Sequence, residues 1–454
     1  MEDGTAHYWR DLYLQLRTEV VLLKTEIQQL KDKLGTNSSN SSTPPSQDPF
    51  RKKRDSKPSG KKAGGQPGHP GHARNIHPAE QLSKTVEVNP ASCPRCHGNQ
   101  FSQPVSVEVR QVVELPEMPP EVTQYNIHTC KCRHCGENVR AQVPKEAERG
   151  FGPRLMAFVT MLTADGHVTK RKICTLMSHL RIKISLGALC NVHKLAGVIL
   201  EKPSREIQCH VMEQKSVNAD ESGWRLCNKR CWIWIGTTPT ATVFKIDPSR
   251  SQAAFERLFG SFSAILTTDR HGAYNQHKGD KQTCLAHIRR DFEKIKERTG
   301  IDGSCGRILK DQLDHIFVFW SQFKKEEISR EILQQRTEEY VENIRLALIF
   351  ATQKAKSSKT IACAHNLLDR YPTLWTFLRQ EGVEPTNNLA ERGLRPAVIF
   401  RKLSGGSQSE WGARMIERLM TVSCTLRQNA RNLYVFLKDA FDAHLTGQPP
   451  PLPI

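Results

Sequence analysis

The sequence predicts a multidomain α+β protein with one mixed α/β core. Three observations lead there. The chain has 454 residues, more than a single domain usually needs. Its hydrophobic pattern changes several times, from a heptad to none, then to short alternating runs, then to helical spacing. Finally, residues 215–298 read in the order β-β-β-α-β-β-α. Such an order builds a mixed sheet with helices on both faces.

Bulk composition narrows the function classes. Apolar residues make up 38%, enough for a core but low for a chain folded throughout. The net charge is +19 and the pI about 9.4, which points to a polyanionic partner, nucleic acid before membrane. No run of 18 or more apolar residues occurs, so no transmembrane helix is expected. The opening, "MEDGTAHYWRDLYLQLRTEV", lacks the apolar centre of a signal peptide, and a cytoplasmic protein is expected. Its 14 cysteines are then reduced or metal-bound rather than disulfide-paired.

The elements follow in order. Within 1–34, Tyr13, Leu16, Val20, Leu23, Ile27, Leu30 and Leu34 alternate spacings of three and four, the seam of a short coiled coil. A single amphipathic helix lying on the protein's own core fits the same pattern. Residues 35–78 lose all periodicity. "RKKRDSKPSGKK" carries seven positive charges against one negative, and "AGGQPGHPGH" is too rich in glycine and proline for helix or strand. A disordered basic linker is expected there, able to lie along phosphates.

Residues 79–145 carry two Cys-x-x-Cys pairs, Cys93/Cys96 and Cys132/Cys135, the second followed by Gly136. Two such knuckles make a tetrahedral thiolate site of zinc-ribbon type, so Zn2+ is expected. The 35 intervening residues exceed the usual ribbon, and β-type runs, "KTVEVN" ahead of the first pair and "VSVEVRQVVEL" and "VTQYNIHT" in the gap, are expected to form strands. Cys130 is a spare thiol that could replace Cys132. Residues 146–205 read as helices, with Pro153 at a first-turn position and Ser185 as an N-cap. Two short helices around a tight turn resemble a helix-turn-helix, with Lys170, Arg171, Lys172, Arg181, Lys183 and Lys194 available to phosphates. Any small helical bundle would look similar.

The core begins in 206–293. Asp220 follows "KSVNA" and Asp269 closes "AILTT". Strands ending side by side would bring these acids together. Two carboxylates facing one cleft repel, so a divalent cation of the Mg2+ or Mn2+ kind is the natural neutraliser. Glu221 competes with Asp220, but neighbours on a strand point to opposite faces, and only one can face the metal. Asp220 is the choice, with Glu221 capping a turn or pairing with an arginine. A helical insertion occupies 294–380. In 381–454, "PTNNLAERGLRP" holds one acid, Glu391, in a region carrying Arg392, Arg395, Arg401, Lys402, Arg414, Arg418, Arg427 and Arg431, as a DNA-facing helix pair would. Taken alone, Asn388 would be an N-cap and Glu391 would sit at N3 of a capping box. A core with two metal-competent aspartates still wants a third acid from a helix, and Glu391 is the candidate.

Together and in order, the zipper, "GGQPGHPGH", the CxxC pairs, "NADESGW", "TTDRHGAY", "CLAHIRRDFEK" and "NNLAERGLRP" make the chain resemble a DDE transposase of the insertion-sequence-sixty-six family, the large TnpC-type protein of bacterial insertion sequences. The resemblance covers nearly the whole chain. It implies a ribonuclease-H-like core whose acidic triad falls on Asp220, Asp269 and Glu391. It implies Mg2+- or Mn2+-dependent cleavage at element ends and strand transfer into target DNA. The expected partners are terminal inverted repeats and target duplex, a second copy of the chain, and helper proteins of the same element; a membrane is not expected. The family's Cys-x-x-His falls on Cys284 and His287, read as a buried structural pair. The tail departs from the family, with Ala430-Arg431-Asn432 where a proline-containing turn is usual. A catalytically inactive DNA-binding regulator and a stand-alone nuclease of the same fold are the rival readings.

Overall fold

The structure, a computed structural model, describes residues 76–454 apart from 261 and 276. The expected zipper over 1–34 and the linker as far as residue 75 lie outside the described residues. The described chain divides into two compact units that meet at Pro120 and Glu121.

In the first unit the described residues form one turn of 3-10 helix, Ala79–Gln81. His77 and Gln111 exchange two hydrogen bonds, of 2.7 and 2.9 Å. Of the expected strands only the end of "VTQYNIHT" has a counterpart, β1 (Thr129–Lys131), just before Cys132; no strand precedes it among the described residues. Alternation makes a strand only where one face finds a sheet to pack on. Val105, Val107, Val109 and Val112 alternate or nearly so, yet all are exposed.

The second unit opens on β1, paired antiparallel with β2 (Asn138–Arg140). Four helices follow: α1 (Pro153–Ala164), α2 (Lys170–His179), α3 (Leu186–Ile199) and α4 (Glu201–Glu213). Pro153 stands at the first position of α1, where its missing N–H would have had no partner in any case. Ser185 starts α3, its Oγ accepting the Ala188 N–H at 3.1 Å.

A five-stranded sheet comes next: β3 (Ser216–Leu226), β4 (Lys229–Thr237), β5 (Thr242–Asp247), β6 (Ile265–Thr268) and β7 (Lys281–Thr283). The spatial order is β5-β4-β3-β6-β7. The first three strands are antiparallel; β6 runs parallel to β3 and β7 parallel to β6. Cys227 and Asn228 join β3 to β4 with φ of 48° and 62°, the left-handed pair that a two-residue hairpin matching strand twist requires. Helix α5 (Gln252–Phe259) links β5 to β6, and α6 (Leu285–Lys296) follows β7. The insertion consists of α7 (Gly300–Lys324), α8 (Arg330–Lys354), α9 (Ser358–Asp369) and the short α10 (Tyr371–Leu374) and α11 (Thr376–Arg379). The chain then returns to the sheet with α12 (Asn388–Ser404), α13 (Glu410–Gln428) and α14 (Leu433–Thr446). In place of a proline turn, Asn432 caps α14 by accepting the Val435 N–H at 3.1 Å.

Both faces of the sheet are covered. Trp234 meets Phe255 of α5 and Tyr274, at ring separations of 6.3 and 6.1 Å. Its neighbour Ile235 points the other way, to α12. A Cβ on Gly393 would fall 2.6 Å from Ile235 Cδ1, so α12 rests this close because that position has no side chain. Edge strand β5 is closed by α13. Thr425 Oγ1 accepts the Thr242 N–H at 3.0 Å, Thr421 Oγ1 accepts that of Phe244 at 2.9 Å, and Glu417 accepts that of Ile246. Four helical residues rise about 6.0 Å and two strand residues about 6.6 Å, so the two ladders stay in step. One apolar core joins the sheet to α1–α5 and α12–α14; a second holds α6 and the insertion.

Candidate active site

Alternation along β3 separates its two adjacent acids. Asp220 pairs opposite Ile235 and Glu221 opposite Trp234. Asp220 therefore shares the face on which α12 lies, and Glu221 the face of α5. Glu221 is fully committed there. Its side chain is 0% exposed, Arg250 holds it at 2.6 and 2.7 Å, and the Tyr274 hydroxyl donates to it. Burial, then the Glu221 charge, keeps the Tyr274 phenol well above its ordinary pKa, so it stays a donor.

Asp269 comes from the neighbouring strand. Asn218 of β3 lies level with Thr267 of β6. Two residues further on each parallel chain stand Asp220 and Asp269, level at the carboxyl end of β6. Asp269 Oδ1 accepts the His271 N–H and Asp220 Oδ1 the Glu221 N–H, both at 2.8 Å. Among the described residues the partners of these two aspartates are backbone N–H groups, not cations.

Glu391 stands in the first turns of α12, two residues before the close contact at Gly393. The capping-box expectation fails by one residue. Helix α12 begins at Asn388, its N-cap is Asn387, and no side chain caps it; Glu391 is the fourth helical residue, one beyond N3. Its side chain is 38% exposed, with His287 Nδ1 and Arg290 each 3.8 Å from Oε1, beyond hydrogen-bond reach.

The three acids act on one another. The Asp220 carboxyl is pushed up to about 8, first by burial, then by the Glu221 charge, with Asp269 and Glu391 adding to it against the Glu221 N–H. A buried carboxyl among carboxylates, with no cation paired to it, has the donor chemistry of a site for a hard divalent ion. Asp220, Asp269 and Glu391 are the residues that could hold one, after side-chain movement: among the described residues the ligand atoms gathered within 4.8 Å of one another are those of Cys284, His287 and Glu391.

Sequence reasoning missed what locks α12 to β3. Asn387 Oδ1 accepts from Asn218 Nδ2 at 3.0 Å, its Nδ2 donates to the Ala219 carbonyl at 2.8 Å, and its N–H donates to Cys284 Sγ at 3.1 Å. The doubled asparagine was the only signal, and it also reads as a cap. Cys284 is fully buried, while His287 is half-buried.

The two cysteine knuckles share one local geometry. In each, the N–H of the first cysteine donates to the carbonyl five residues on, at 2.8 Å for Cys93 and 2.7 Å for Cys132, and its carbonyl accepts the N–H four residues on. His97 and Gly136 follow with φ of 56° and 78°. Backbone N–H groups of Cys96 and Arg95 aim at the Cys93 sulfur and hold its thiol below the ordinary value; those of Cys135 and His134 do the same for Cys132. These N–H groups favour the thiolate of each first cysteine, the form that binds zinc.

Among the basic candidates, Arg171, Lys172, Arg181, Lys183, Arg392, Arg395 and Lys402 are exposed, and Lys170 is half-buried beside Cys190 Sγ at 3.4 Å. Arg401 instead donates to the Gly223 carbonyl of β3. Arg414 and Arg418 also turn inward, to the carbonyls of Ile246 and Gly197 at 2.9 and 2.8 Å. No helix of the described residues is long and apolar enough to cross a membrane.

Comparison with known proteins agrees with this architecture. Residues 149–415, more than half of the chain, match a transposase sequence model. That model describes the IS66 family of transposases, and the chain belongs to it. Residues 90–136, which include both knuckles, match the zinc-finger binding domain of IS66 transposases, and residues 7–75 match a family of unknown function. Two relatives are uncharacterized proteins of Sinorhizobium fredii. Protein y4qI is 25% identical over 300 residues, covering 58% of this chain and 51% of its own length. Protein y4hP is 22% identical over 396 residues, covering 79% and 71%. The chain thus spans about half the length of the first relative.

Proposed function

We propose that this protein cuts DNA at the ends of its element and joins the freed ends to target DNA. The observation that carries this reading is the register of β3 and β6, which sets Asp220 and Asp269 level on neighbouring strands, with the helix that bears Glu391 packed on the face of Asp220 and no cation paired to either aspartate among the described residues. The sheet order, with one acid midway along β3, one just past the end of neighbouring β6 and one on a helix after an insertion, supports a ribonuclease-H-like core made of 206–293 and 381–454 around the insertion 294–380. Asp220, Asp269 and Glu391 hold Mg2+ or Mn2+. When bound, such ions activate the attacking oxygen and stabilise the leaving one. The carboxylates position and neutralise; Asp220 gives up its proton when an ion arrives. Glu221 stays out of this chemistry and braces β3 through Arg250.

Cys93, Cys96, Cys132 and Cys135 would hold one Zn2+ in a module over 79–145, as the zinc-finger match supports. Exposed Arg171, Lys172, Arg181 and Lys183 of the 146–205 helices, with Arg392, Arg395 and Lys402, contact phosphates of the duplex. The heptad over 1–34 pairs two chains, and proteins encoded in the same element are candidate helpers. The test is an assay with duplex ends carrying a free 3′-hydroxyl and Mn2+. Joined products support transposition. Nicking without joining would make the protein a nuclease, and binding without either would make it a regulator.

A further inference from the structure

We propose that Cys284, His287 and Glu391 form a second metal site, for a soft cation of the Zn2+ kind, that takes Glu391 from the hard-cation site. Their ligand atoms, Sγ, a ring nitrogen and a carboxylate oxygen, lie within 4.8 Å of one another. Tetrahedral zinc with bonds of about 2.0–2.3 Å sets its ligands about 3.3–3.7 Å apart, so the site closes by rotamer shifts of about 1 Å.

Two observations show that these atoms are prepared rather than merely near. His287 Nδ1 is buried and has no hydrogen-bond partner among the described residues, which is costly for a polar atom that is not waiting for a ligand. It faces Glu391 Oε1 at 3.8 Å, too far for a hydrogen bond, and Oε1 is just as far from Arg290. The second observation is a repeat within the chain. Cys284-Leu-Ala-His287 has the spacing of the two CxxC knuckles. Backbone N–H groups of the second and third residues after Cys284, Ala286 and His287, aim at its sulfur, as Arg95 and Cys96 do at Cys93 and as His134 and Cys135 do at Cys132; unlike in those two knuckles, burial holds the Cys284 thiol above its ordinary pKa, so a cation must displace its proton. Asn387 adds a third N–H at 3.1 Å. An N–H-bonded sulfur, an imidazole and one carboxylate make an open three-ligand zinc site; thiolate and imidazole do not suit Mg2+.

Because Glu391 belongs to both donor sets, zinc on this site would withdraw it from Asp220 and Asp269. That competition rests on the proposed function; zinc binding itself does not. The test is zinc uptake by the full chain, measured by elemental analysis after dialysis against Zn2+. Wild type should take up about two equivalents, one on the knuckles and one here, and His287→Ala about one. His287 is half-exposed, so that variant keeps its fold if Cys284→Ser does not. In Co2+-loaded protein the difference spectrum between wild type and His287→Ala should show a thiolate-to-cobalt band from a single sulfur. Equal zinc uptake by wild type and His287→Ala overturns the site. In the DNA assay, Zn2+ should raise the Mg2+ requirement of wild type by tenfold or more and leave that of His287→Ala unchanged. Zinc uptake at this site without any such rise would overturn the shared role of Glu391 while leaving the site standing.

Discussion

Asp220→Asn should make the metal-free protein more stable, and increasingly so as pH rises. In the folded protein Asp220 keeps its proton up to about pH 8. In the unfolded chain an aspartate loses it near pH 4. Between these values the folded state binds one proton more than the unfolded state, so the stability of wild type falls as pH rises through that window. At about 1.4 kcal/mol per unit, two units from about pH 5 to about pH 7 amount to ~3 kcal/mol. Water entry and side-chain reorientation around the new charge return roughly half, leaving ~1–2 kcal/mol. Asparagine does not titrate, so the gap between variant and wild type should widen by that amount, a few degrees in Tm. Calorimetry in chelator at the two pH values measures it. Added Mg2+ or Mn2+ should close the gap by stabilising wild type alone. A gap that stays constant or narrows with rising pH would refute the reasoning, because Asp220 would then be an ordinary ionised carboxylate.

Other consequences follow from the same geometry. Glu221→Gln weakens the bonds from Arg250, itself 36% exposed, and from the Tyr274 hydroxyl, and should cost ~1–2 kcal/mol by denaturant unfolding, while any DNA cleavage that remains should keep its metal requirement. Thr421→Val strands the Phe244 N–H on edge strand β5 and should cost ~1–3 kcal/mol, without altering the zinc content. The Cys93→Ser/Cys135→Ser double variant should lose about one Zn2+ per chain by elemental analysis; retention of the full content would remove the knuckles from the metal account.

Much of the core could be read directly. Alternation through "KSVNADESGW" and a continuous apolar run in "CWIWIGTT" mark β3 and β4, and the period of two separates Asp220 from Glu221. The strand expected to close before Asp220 instead runs on to Leu226, because β4 pairs with it from Asn218 to its end, while Asp269 does stand just past the end of β6. What could not be read depends on contacts between distant segments. Charge says nothing about direction, so Arg401, Arg414 and Arg418 looked like phosphate ligands although each turns to a backbone carbonyl. The alternating valines before Thr129 looked like strands, but a strand needs a neighbour as well as a pattern. Asn387 looked like one of two possible caps. Only the folded chain shows it tying α12 to Asn218, Ala219 and Cys284, and so setting where Glu391 stands.

The most direct test of the central claim is DNA cleavage and end joining by Glu391→Gln in Mn2+. The side chain is partly exposed and caps nothing, so the variant should unfold at the wild-type temperature and bind ends as before. Losing one charge from a site for divalent cations should lower both steps by several orders of magnitude. Asp220→Asn and Asp269→Asn should do the same, and combining the changes should add little, because the three acids serve one site. A Glu391→Gln protein that cuts and joins DNA within about tenfold of wild type would contradict the account and leave Glu391 as an ordinary surface acid on α12.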